Sequence, residues 1–150
     1  MQINWYCKKF DALSPSELYA LIRLRNEVFV VEQNCVFQDA DNKDQYCYHV
    51  MGWHQDQLVA GSRIVPPKIS YSESSIGRVV TSPSARKSGT GRALMQFSIN
   101  ELRLLFGNIP IKIGAQMYLK IFYESFGFVQ SSDIYLEDDI PHIEMLLPAK

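Results

Sequence analysis

The segment from Val79 to Arg92 carries the strongest chemical signal in the sequence. A predicted strand ends there, a turn containing Gly89 and Gly91 follows, and the turn opens a predicted helix. Backbone N–H groups in the first turn of a helix lack internal partners and carry the positive end of the helix dipole. Glycines let a phosphate approach those groups closely. Three basic side chains add charge around the same point: Arg86, Lys87 and Arg92. The segment therefore predicts a site for a pyrophosphate or several phosphates.

A structural alternative stays open for this segment, in which the glycines serve only the turn. It places basic residues at a helix N-terminus, where each charge opposes the dipole at a cost of about 0.3–1 kcal/mol. Two common phosphate loops are excluded, because the Walker A pattern G-x-x-x-x-G-K-[ST] is absent and the glycines do not form the dinucleotide fingerprint G-x-G-x-x-G. We therefore favour an anion site.

Two motifs, in this order, resemble those of the GCN5-related N-acetyltransferases, the GNAT superfamily. Arg86-x-x-Gly89-x-Gly91 is similar to the acetyl-CoA loop [Q/R]-x-x-G-x-[G/A], and residues 116–128 are similar to a later helix of the family whose usual ending is Y-x-x-x-G-F. Residues 24–33, the triplet Asp39-Ala40-Asp41 and the segment Pro141–Met145 resemble the ElaA-like branch. The resemblance covers nearly the whole chain.

The resemblance implies that acetyl-CoA is the co-substrate and wedges between two splayed parallel strands, at residues 75–81 and 109–115. The backbone of the first strand would pair with the pantetheine arm as an added strand does, and the N–H of Val80 would polarise the thioester carbonyl. Gln116 stands where relatives usually carry asparagine. The implied cofactor-binding residues are Val79, Val80, Thr81, Arg86, Lys87, Ser88, Gly89, Thr90, Gly91, Arg92, Gln116 and Phe122.

Tyr123 is the candidate general acid implied by the same resemblance, because the departing CoA thiolate needs a proton or a strong hydrogen bond. The acceptor amine must lose a proton before it attacks, and three residues compete as the base. His49 is expected on a strand beside the cleft and titrates near neutrality, and its rivals are Glu32 and His142. Each of the three also has a structural interpretation, as a solvated helix end or a hydrogen-bonded side chain.

Substrate contacts are predicted for five residues, and the acceptor itself is left open. Arg78 lies on the cofactor strand and would bind an acidic group of the substrate or pair with Glu144. The other candidates are Arg25, Gln33, Arg63 and His142. A polyamine, an amino sugar, an amino acid, a drug or a protein terminus would all supply a suitable amine. The acidic turn at residues 137–139 would either attract a cationic amine or form a solvated loop.

The elements that must position these residues follow a β-α-β-β-β-α-β-α-β-β order. Ser14, Pro15 and Glu17 form a helix-start signature, and apolar residues then recur at helical spacing until about Gln33. Strands are predicted at residues 46–53, 58–65 and 75–81, and helices at about 93–106 and 118–126. Residues 109–115 are nearly all apolar and predict a strand covered on both faces. The fold class is α+β (mixed α/β), a single domain over residues 1–150 with a central mixed sheet of splayed strands flanked by helices.

Composition excludes several functions. The chain has 150 residues, a net charge of −1 and a pI of about 6.3, which argues against a nucleic-acid surface and gives no electrostatic reason to expect a membrane partner. The three cysteines lack the spacing of a disulfide framework or a zinc site, so no metal is expected and a cytoplasmic location is favoured. Homodimerisation is expected only because dimers are common among soluble enzymes.

Three alternatives to an acetyltransferase stay open. A non-catalytic sensor of acyl-CoA would keep the loop at residues 86–92 and have no need of Tyr123. An unrelated nucleotide enzyme would bind ATP as well as it binds CoA. A structural protein would have no affinity for CoA. We rank the acetyltransferase first and the sensor second.

Overall fold

The computed structural model describes all residues from Met1 to Lys150. Eight strands and three α-helices make up the fold, joined by short 3-10 turns. The strands are β1 (Asn4–Lys9), β2 (Tyr48–His54), β3 (Gln57–Val65), β4 (Ser75–Thr81), β5 (Ile111–Gln116), β6 (Val129–Gln130), β7 (Tyr135–Glu137) and β8 (Ile140–Leu147). The helices are α1 (Pro15–Arg25), α2 (Thr90–Phe106) and α3 (Lys120–Glu124). None of these helices is long and apolar enough to cross a bilayer.

Helix α1 begins with the capping box that the sequence predicts. The Ser14 hydroxyl accepts the Glu17 N–H at 3.0 Å, and the Glu17 carboxylate accepts the Ser14 N–H at 2.8 Å. The helical run continues past Arg25 as a π-helical segment, Asn26–Glu32. The sequence therefore predicted the end of the run, near Gln33, but not the change of helix type. Widened turns of this kind occur often at functional sites.

The strands form two antiparallel sheets, ordered β1-β2-β3-β4 and β5-β8-β6, with β7 paired to β8. The sheets meet at a single parallel bridge between Ser74 and Ile111, where the Lys112 N–H donates to the Ser74 carbonyl at 2.9 Å. Beyond that bridge β4 and β5 are not paired, so they splay apart. The predicted α+β fold with two splayed parallel strands is confirmed.

Two apolar clusters cover the first sheet on opposite faces. The larger cluster packs α2 against both sheets through residues such as Leu94, Met95 and Ile113. The smaller cluster packs α1 against β2 to β4, and it includes Leu21 and Val80. This arrangement buries the first sheet between two helices and fixes β4 as one rigid wall of the gap.

Strand β5 differs from the sequence prediction, which was wrong in having it covered on both faces. Ile111, Ile113 and Ala115 are buried in the main core, but Gly114 is exposed on the opposite face. Because β5 is the edge strand of its sheet and borders the gap, one of its faces is open. That open face lines the site described next.

Candidate active site

A cleft of about 1090 Å³ opens where β4 and β5 separate. Both strands line it, together with the π-helical segment, the loop at residues 35–43, the start of α3 and the turn between β7 and β8. Each of the two splayed strands is an edge strand on the side that faces the cleft. Edge strands present unpaired N–H and C=O groups, which can pair with an extended ligand as an added strand does.

A β-bulge shapes the β4 wall of the cleft. Gly77 pairs with Arg63 and Val80 pairs with Gly61, so Arg78 and Val79 together oppose only Ser62. Arg78 adopts a left-handed backbone conformation, with φ of 50°. A bulge bends the strand and leaves backbone groups outside the ladder. Val79, Val80 and Thr81 all line the cleft at and beyond this bend.

The glycine turn leads from β4 to the N-terminus of α2, as the sequence predicts. Gly89 is the N-cap residue and has φ of +79°, a conformation that favours glycine, and no side chain caps the helix. The Ser88 hydroxyl donates to the Ala85 carbonyl at 2.6 Å and lies 2.9 Å from the Thr90 hydroxyl. The turn is thus held by its own side chains, and the backbone N–H groups of the first helical turn stay available.

The basic side chains of this turn do not all point at the same place. Arg86 is engaged by the Glu32 carboxylate, with its two terminal nitrogens 2.7 and 2.6 Å from the carboxylate oxygens. The guanidinium of Arg92 donates to the Ser125 hydroxyl at 2.9 Å and lies over the Phe126 ring, 4.6 Å from its centroid. Arg92 therefore joins α2 to α3, and only its backbone remains for the predicted phosphate role.

Glu32 lines the mouth of the cleft and is ion-paired there. The hydrogen bond from Arg86 lowers the pKa of the Glu32 carboxyl, which keeps it ionised. A carboxylate already held by a guanidinium has reduced basicity, and this weakens the case for Glu32 as the base.

Tyr123 lies on α3 at the cleft and is only 6% exposed. Its ring packs edge-on against Phe122 and Phe128, with centroids 5.2 and 6.0 Å away. Burial raises the pKa of Tyr123 to about 12. The phenol is therefore protonated at neutral pH, which is the state that a proton donor needs. Phe122 lines the cleft beside it.

Gln116 and Gln33 meet across the cleft. The Gln116 side-chain amide nitrogen lies 3.5 Å from the Gln33 side-chain oxygen, and both residues line the cavity. This contact joins the end of β5 to the end of the π-helical segment. The longer glutamine side chain spans a gap between the two walls.

His49 does not lie beside the cleft, so that prediction was wrong. The residue is 1% exposed on β2, and its Nε2 lies 2.9 Å from the Asp44 carbonyl, to which it must donate. Burial lowers the pKa of His49. The strand was predicted correctly, but its neighbours in the sheet separate His49 from the cavity. We remove His49 from the candidate bases.

A buried ion-pair network absorbs the arginines predicted to contact substrate. Arg25 is 3% exposed, pairs with Asp39 at 2.8 Å and Asp44 at 3.0 Å, and lies outside the cleft. Its prediction as a substrate contact was therefore wrong, because the guanidinium is fully engaged in the interior. Arg63 and Arg78 do line the cleft, but they too are paired with aspartates, at 2.7 to 3.3 Å.

The predicted pairing of Arg78 with Glu144 does not form. Arg78 instead binds Asp39 and Asp41, and Glu144 lies 3.5 Å from Lys112. Arg78 belongs to β4 and Glu144 to β8, which lie in different sheets on either side of the gap. The splay of the strands therefore separates the two side chains.

Two tyrosines that the sequence analysis overlooked converge on the β5 wall. A Cβ built on Gly114 would lie 3.0 Å from the Tyr135 hydroxyl and 3.1 Å from the Tyr71 hydroxyl. Burial raises the pKa of Tyr71 to about 12 and also raises the pKa of Tyr135. The only available signal was Gly114 itself, because glycine inside a strand often marks the close approach of another group.

His142 and Glu137 stand next to these phenols. His142 is 6% exposed, lines the cleft and stacks on Tyr135 at 5.9 Å between ring centroids. Its Nδ1 lies 2.7 Å from the Ile140 carbonyl, and its Nε2 lies 3.4 Å from a carboxylate oxygen of Glu137. The cleft thus has a buried phenol, Tyr123, on α3 and a histidine–carboxylate pair formed by His142 of β8 and Glu137 of β7.

Comparison with known proteins gives one consistent result. Residues 22–148 match the family model described as the acetyltransferase (GNAT) domain. The chain is 41% identical to Protein ElaA of Escherichia coli (strain K12) over 145 residues, which cover 95% of both chains. A crystal structure of an acyl-CoA N-acyltransferase from Pseudomonas aeruginosa matches with a TM-score of 0.93 at 41% identity, covering 97% of this chain and 99% of that one. An aminoglycoside 6'-N-acetyltransferase complexed with coenzyme A shares the fold alone, with a TM-score of 0.69 at 18% identity, covering 97% and 96% of the two chains.

Proposed function

This chain belongs to the GNAT acetyltransferase family and is an acyltransferase, and from that premise we propose that it transfers an acetyl group from acetyl-CoA to a primary amine by direct attack on the thioester. The observation that carries the proposal is the gap between β4 and β5, which leads to the uncapped N-terminus of α2. An extended thioester would lie in the gap between the strands, and a pyrophosphate at its far end would lie at the N-terminus of α2.

The cofactor would lie along the β4 edge. Backbone groups of Val79, Val80 and Thr81 would pair with the pantetheine amides, and the N–H groups of residues 87–92 would hold the pyrophosphate. Arg86 would contribute once its pairing with Glu32 loosens. Gln116 and Phe122 would contact the arm from the β5 side.

The thioester carbonyl would be polarised by a backbone N–H of β4. The N–H of Val80, the residue that follows the bulge, would stabilise the oxyanion that develops when the amine attacks. Removal of one such donor costs about 2.7–4 kcal/mol of transition-state stabilisation in other acyl-transfer enzymes. The side chain of Val80 is buried against α1, which holds the backbone in place.

Tyr123 would act as the general acid in the second half of the reaction. The amine nitrogen forms a bond to the carbonyl carbon, the carbon–sulfur bond then breaks, and the thiolate takes a proton from the phenol. Because Tyr123 is buried and protonated at neutral pH, it can supply that proton without competing ionisation.

The first experiment tests the phosphate site with two matched glycines. Gly89 and Gly107 lie at opposite ends of α2, both have positive φ (+79° and +86°), and neither would place a Cβ within 4 Å of another atom. Gly89 is in the left-handed helical region, with ψ of 6°, whereas Gly107 has ψ of −172°, a combination that is essentially restricted to glycine. Arginine at position 107 therefore carries the larger backbone penalty, which makes it the more severe control. We expect Gly89→Arg to abolish acetyl-CoA binding in calorimetry and Gly107→Arg to retain it.

Titration with acetyl-CoA, CoA and ATP side by side defines the ligand in the same experiment. Retained acetyl-CoA binding in folded Gly89→Arg would refute the assignment of the loop. Equal binding of ATP by the wild-type protein would favour a nucleotide enzyme. A sensor would bind acetyl-CoA and release no thiol with any amine.

Location and assembly complete the proposal. The three cysteines are free, and acyl-CoA is a cytoplasmic metabolite, so we place the enzyme in the cytoplasm. Homodimerisation stays a prediction that light scattering of the purified protein tests.

A further inference from the structure

His142 lies on the one polar face of the second sheet, which borders the cleft. Side chains alternate between the faces of a strand, and β5 and β8 pair Gly114 with Glu144 and Gln116 with His142. These four residues therefore share a face. The opposite face carries Ile113, Ala115 and Met145 and belongs to the same core cluster as Tyr123. The donor-side acid and this histidine thus approach the cleft from different faces of the same sheet.

The hydrogen bonds of His142 determine its tautomer. A carbonyl oxygen only accepts, so the contact of Nδ1 with the Ile140 carbonyl at 2.7 Å requires a proton on Nδ1. In the neutral ring, Nε2 then carries the lone pair. No side chain or backbone group of the protein forms a hydrogen bond with Nε2, although only 6% of the residue is exposed. The ring is therefore held in the form that can accept a proton from a molecule in the cleft.

Glu137 lies on the Nε2 side of the ring. Its carboxylate oxygen lies 3.4 Å from Nε2, a contact that becomes attractive only when the ring is an imidazolium or when a proton donor sits between the two groups. The other titratable groups facing this point are Tyr135 of β7, Tyr71 of the loop before β4, Glu144 of β8 and Lys112 of β5. Lys112 is already paired with Glu144 at 3.5 Å.

We propose that His142 is the general base of the reaction and that Glu137 and the two tyrosine hydroxyls hold the acceptor as a protonated alkylamine. This inference rests on the proposed function and names its acceptor site. The ammonium gives one proton to Nε2 of His142, which passes it to solvent. The free amine attacks the thioester carbon, the carbon–sulfur bond breaks, and the second N–H proton replaces the one that Tyr123 gives to the thiolate. The products are an amide, CoA as its thiol and one released proton.

The charges of the cleft indicate which amines fit. Arg63 and Arg78 are neutralised by aspartates, and Arg86 by Glu32. Glu137 and Asp138, in contrast, line the cleft without a lysine or arginine partner. Lys43 also lines the cleft, where it donates to the Ser70 hydroxyl at 3.2 Å. The unpaired negative charge is therefore local to the β7–β8 turn, and it favours an amine that carries no carboxylate near its nitrogen. A second ammonium group on the acceptor would be attracted to the carboxylates of this turn.

The test uses two acceptors of similar size, ethylamine, which is protonated at neutral pH, and methoxyamine, which is neutral. We expect His142→Gln to lower kcat/KM for ethylamine by about 100-fold or more, the usual contribution of general acid–base catalysis. The loss with methoxyamine should be several-fold at most, because no proton needs to leave before attack. The pH profile for ethylamine should differ between the wild-type protein and the variant. Affinity for acetyl-CoA should not change.

His54→Gln is the matched control, since His54 lies on β2 away from the cleft and bonds the Gln2 carbonyl. Equal losses with both acceptors, or an unchanged pH profile, would overturn the role of His142 as the base. Wild-type protein that binds acetyl-CoA but acetylates neither amine would instead refute the proposed function, and the base assignment would fall with it.

The acceptor class is tested with a pair of equal chain length, 1,5-diaminopentane and 5-aminopentanoate. We expect the diamine to give at least a tenfold higher kcat/KM, and Glu137→Gln to narrow that ratio. Glu124→Gln, a change at an exposed position of α3, should leave the ratio as it is. A ratio that favours the amino acid would overturn the cationic acceptor class.

Discussion

At the scale of single residues, the proposed acid and the proposed base lie in different environments. Tyr123 is packed among phenylalanines, and its pKa of about 12 keeps the proton on the phenol. His142 is equally buried, but its Nε2 faces a carboxylate, and its Nδ1 bonds one backbone carbonyl. Environments of opposite character are how two groups in one site come to hold opposite roles.

Tyr123→Phe tests the acid directly. We expect kcat to fall by roughly 100-fold, a typical contribution of a general acid, with little change in the Kd for acetyl-CoA, because the ring that packs against Phe122 remains. The rate of thiol release under saturating cofactor measures the effect. Tyr19→Phe on the exposed surface of α1 serves as the control. An unchanged kcat in Tyr123→Phe would remove the phenol from the mechanism.

The positions of candidate site residues were predictable from the sequence only where a local motif carried them. The spacing of Gly89 and Gly91 and the position of Tyr123 follow from contiguous segments. The convergence of Tyr71 and Tyr135 over Gly114 does not, because these residues lie on three elements whose meeting depends on the sheet topology. His49 was misplaced for the same reason, since its strand was correct but its depth in the sheet was not visible.

At the scale of elements, the splay between β4 and β5 decides what enters the cleft. The bulge at Arg78 and Val79 bends β4, and the absence of a Cβ at Gly114 leaves room for two phenols on β5. The glycine permits this close approach, since a methyl group there would be 3.0 and 3.1 Å from the two hydroxyl oxygens, closer than ordinary van der Waals contact.

Gly114→Ala should therefore disturb the acceptor site. Both phenols must shift by a few tenths of an ångström, so we expect KM for ethylamine to rise severalfold. Gly77→Ala on the facing strand is the comparison, because a Cβ there has nothing within 4 Å. Removing the two hydroxyls together with the methyl insertion, in Gly114→Ala/Tyr71→Phe/Tyr135→Phe, should relieve the clash but not restore the hydroxyl contacts. A KM in Gly114→Ala no higher than in Gly77→Ala would contradict this account.

The elements themselves were largely predictable because their signals are local. The capping box of α1 and the β2–β3 hairpin follow from short patterns. The polar face of β5 could not be recognised in the same way, because glycine and the aliphatic stem of Lys112 leave its sequence nearly apolar throughout. The sequence predicts one strand between Phe128 and the acidic turn, whereas the structure has two short strands there, β6 and β7, because two or three residues give too short a period to delimit a strand.

At the scale of the whole molecule, a charge network fixes the loop that closes one side of the cleft. Arg25 on α1, Arg63 on β3 and Arg78 on β4 bind three aspartates of the loop after the π-helical segment: Asp39, Asp41 and Asp44. The network carries no net charge, and it joins a helix and two strands to a loop of little regular structure. Its pairing could not be derived from sequence, because the partners lie 14 to 39 residues apart.

The network makes stability depend on acid pH. Burial alone would raise the pKa of Asp44, but hydrogen bonds from Arg25 and Arg63 outweigh it and hold the pKa below the ordinary value of 3.8. The pKa of Asp41 is lowered in the same way by Arg63. A carboxyl whose pKa is lower in the folded state contributes stability above its unfolded pKa and loses it as pH falls through the folded value. The contribution is thus complete at neutral pH and declines below about pH 4.

Asp44→Asn measures this coupling. At pH 7 we expect a loss of about 3–5 kcal/mol in the free energy of unfolding, because three arginines are then left with only the carboxylates of Asp39 and Asp41, and the buried network carries an uncompensated positive charge. The difference from wild type should shrink as the pH is lowered below about 4, where the wild-type carboxylates themselves become protonated. Urea denaturation across this range provides the measurement, and Asp56→Asn in the exposed β2–β3 turn provides the control. A difference that stays constant with pH would mean that Asp44 stabilises the loop through its shape and not its charge.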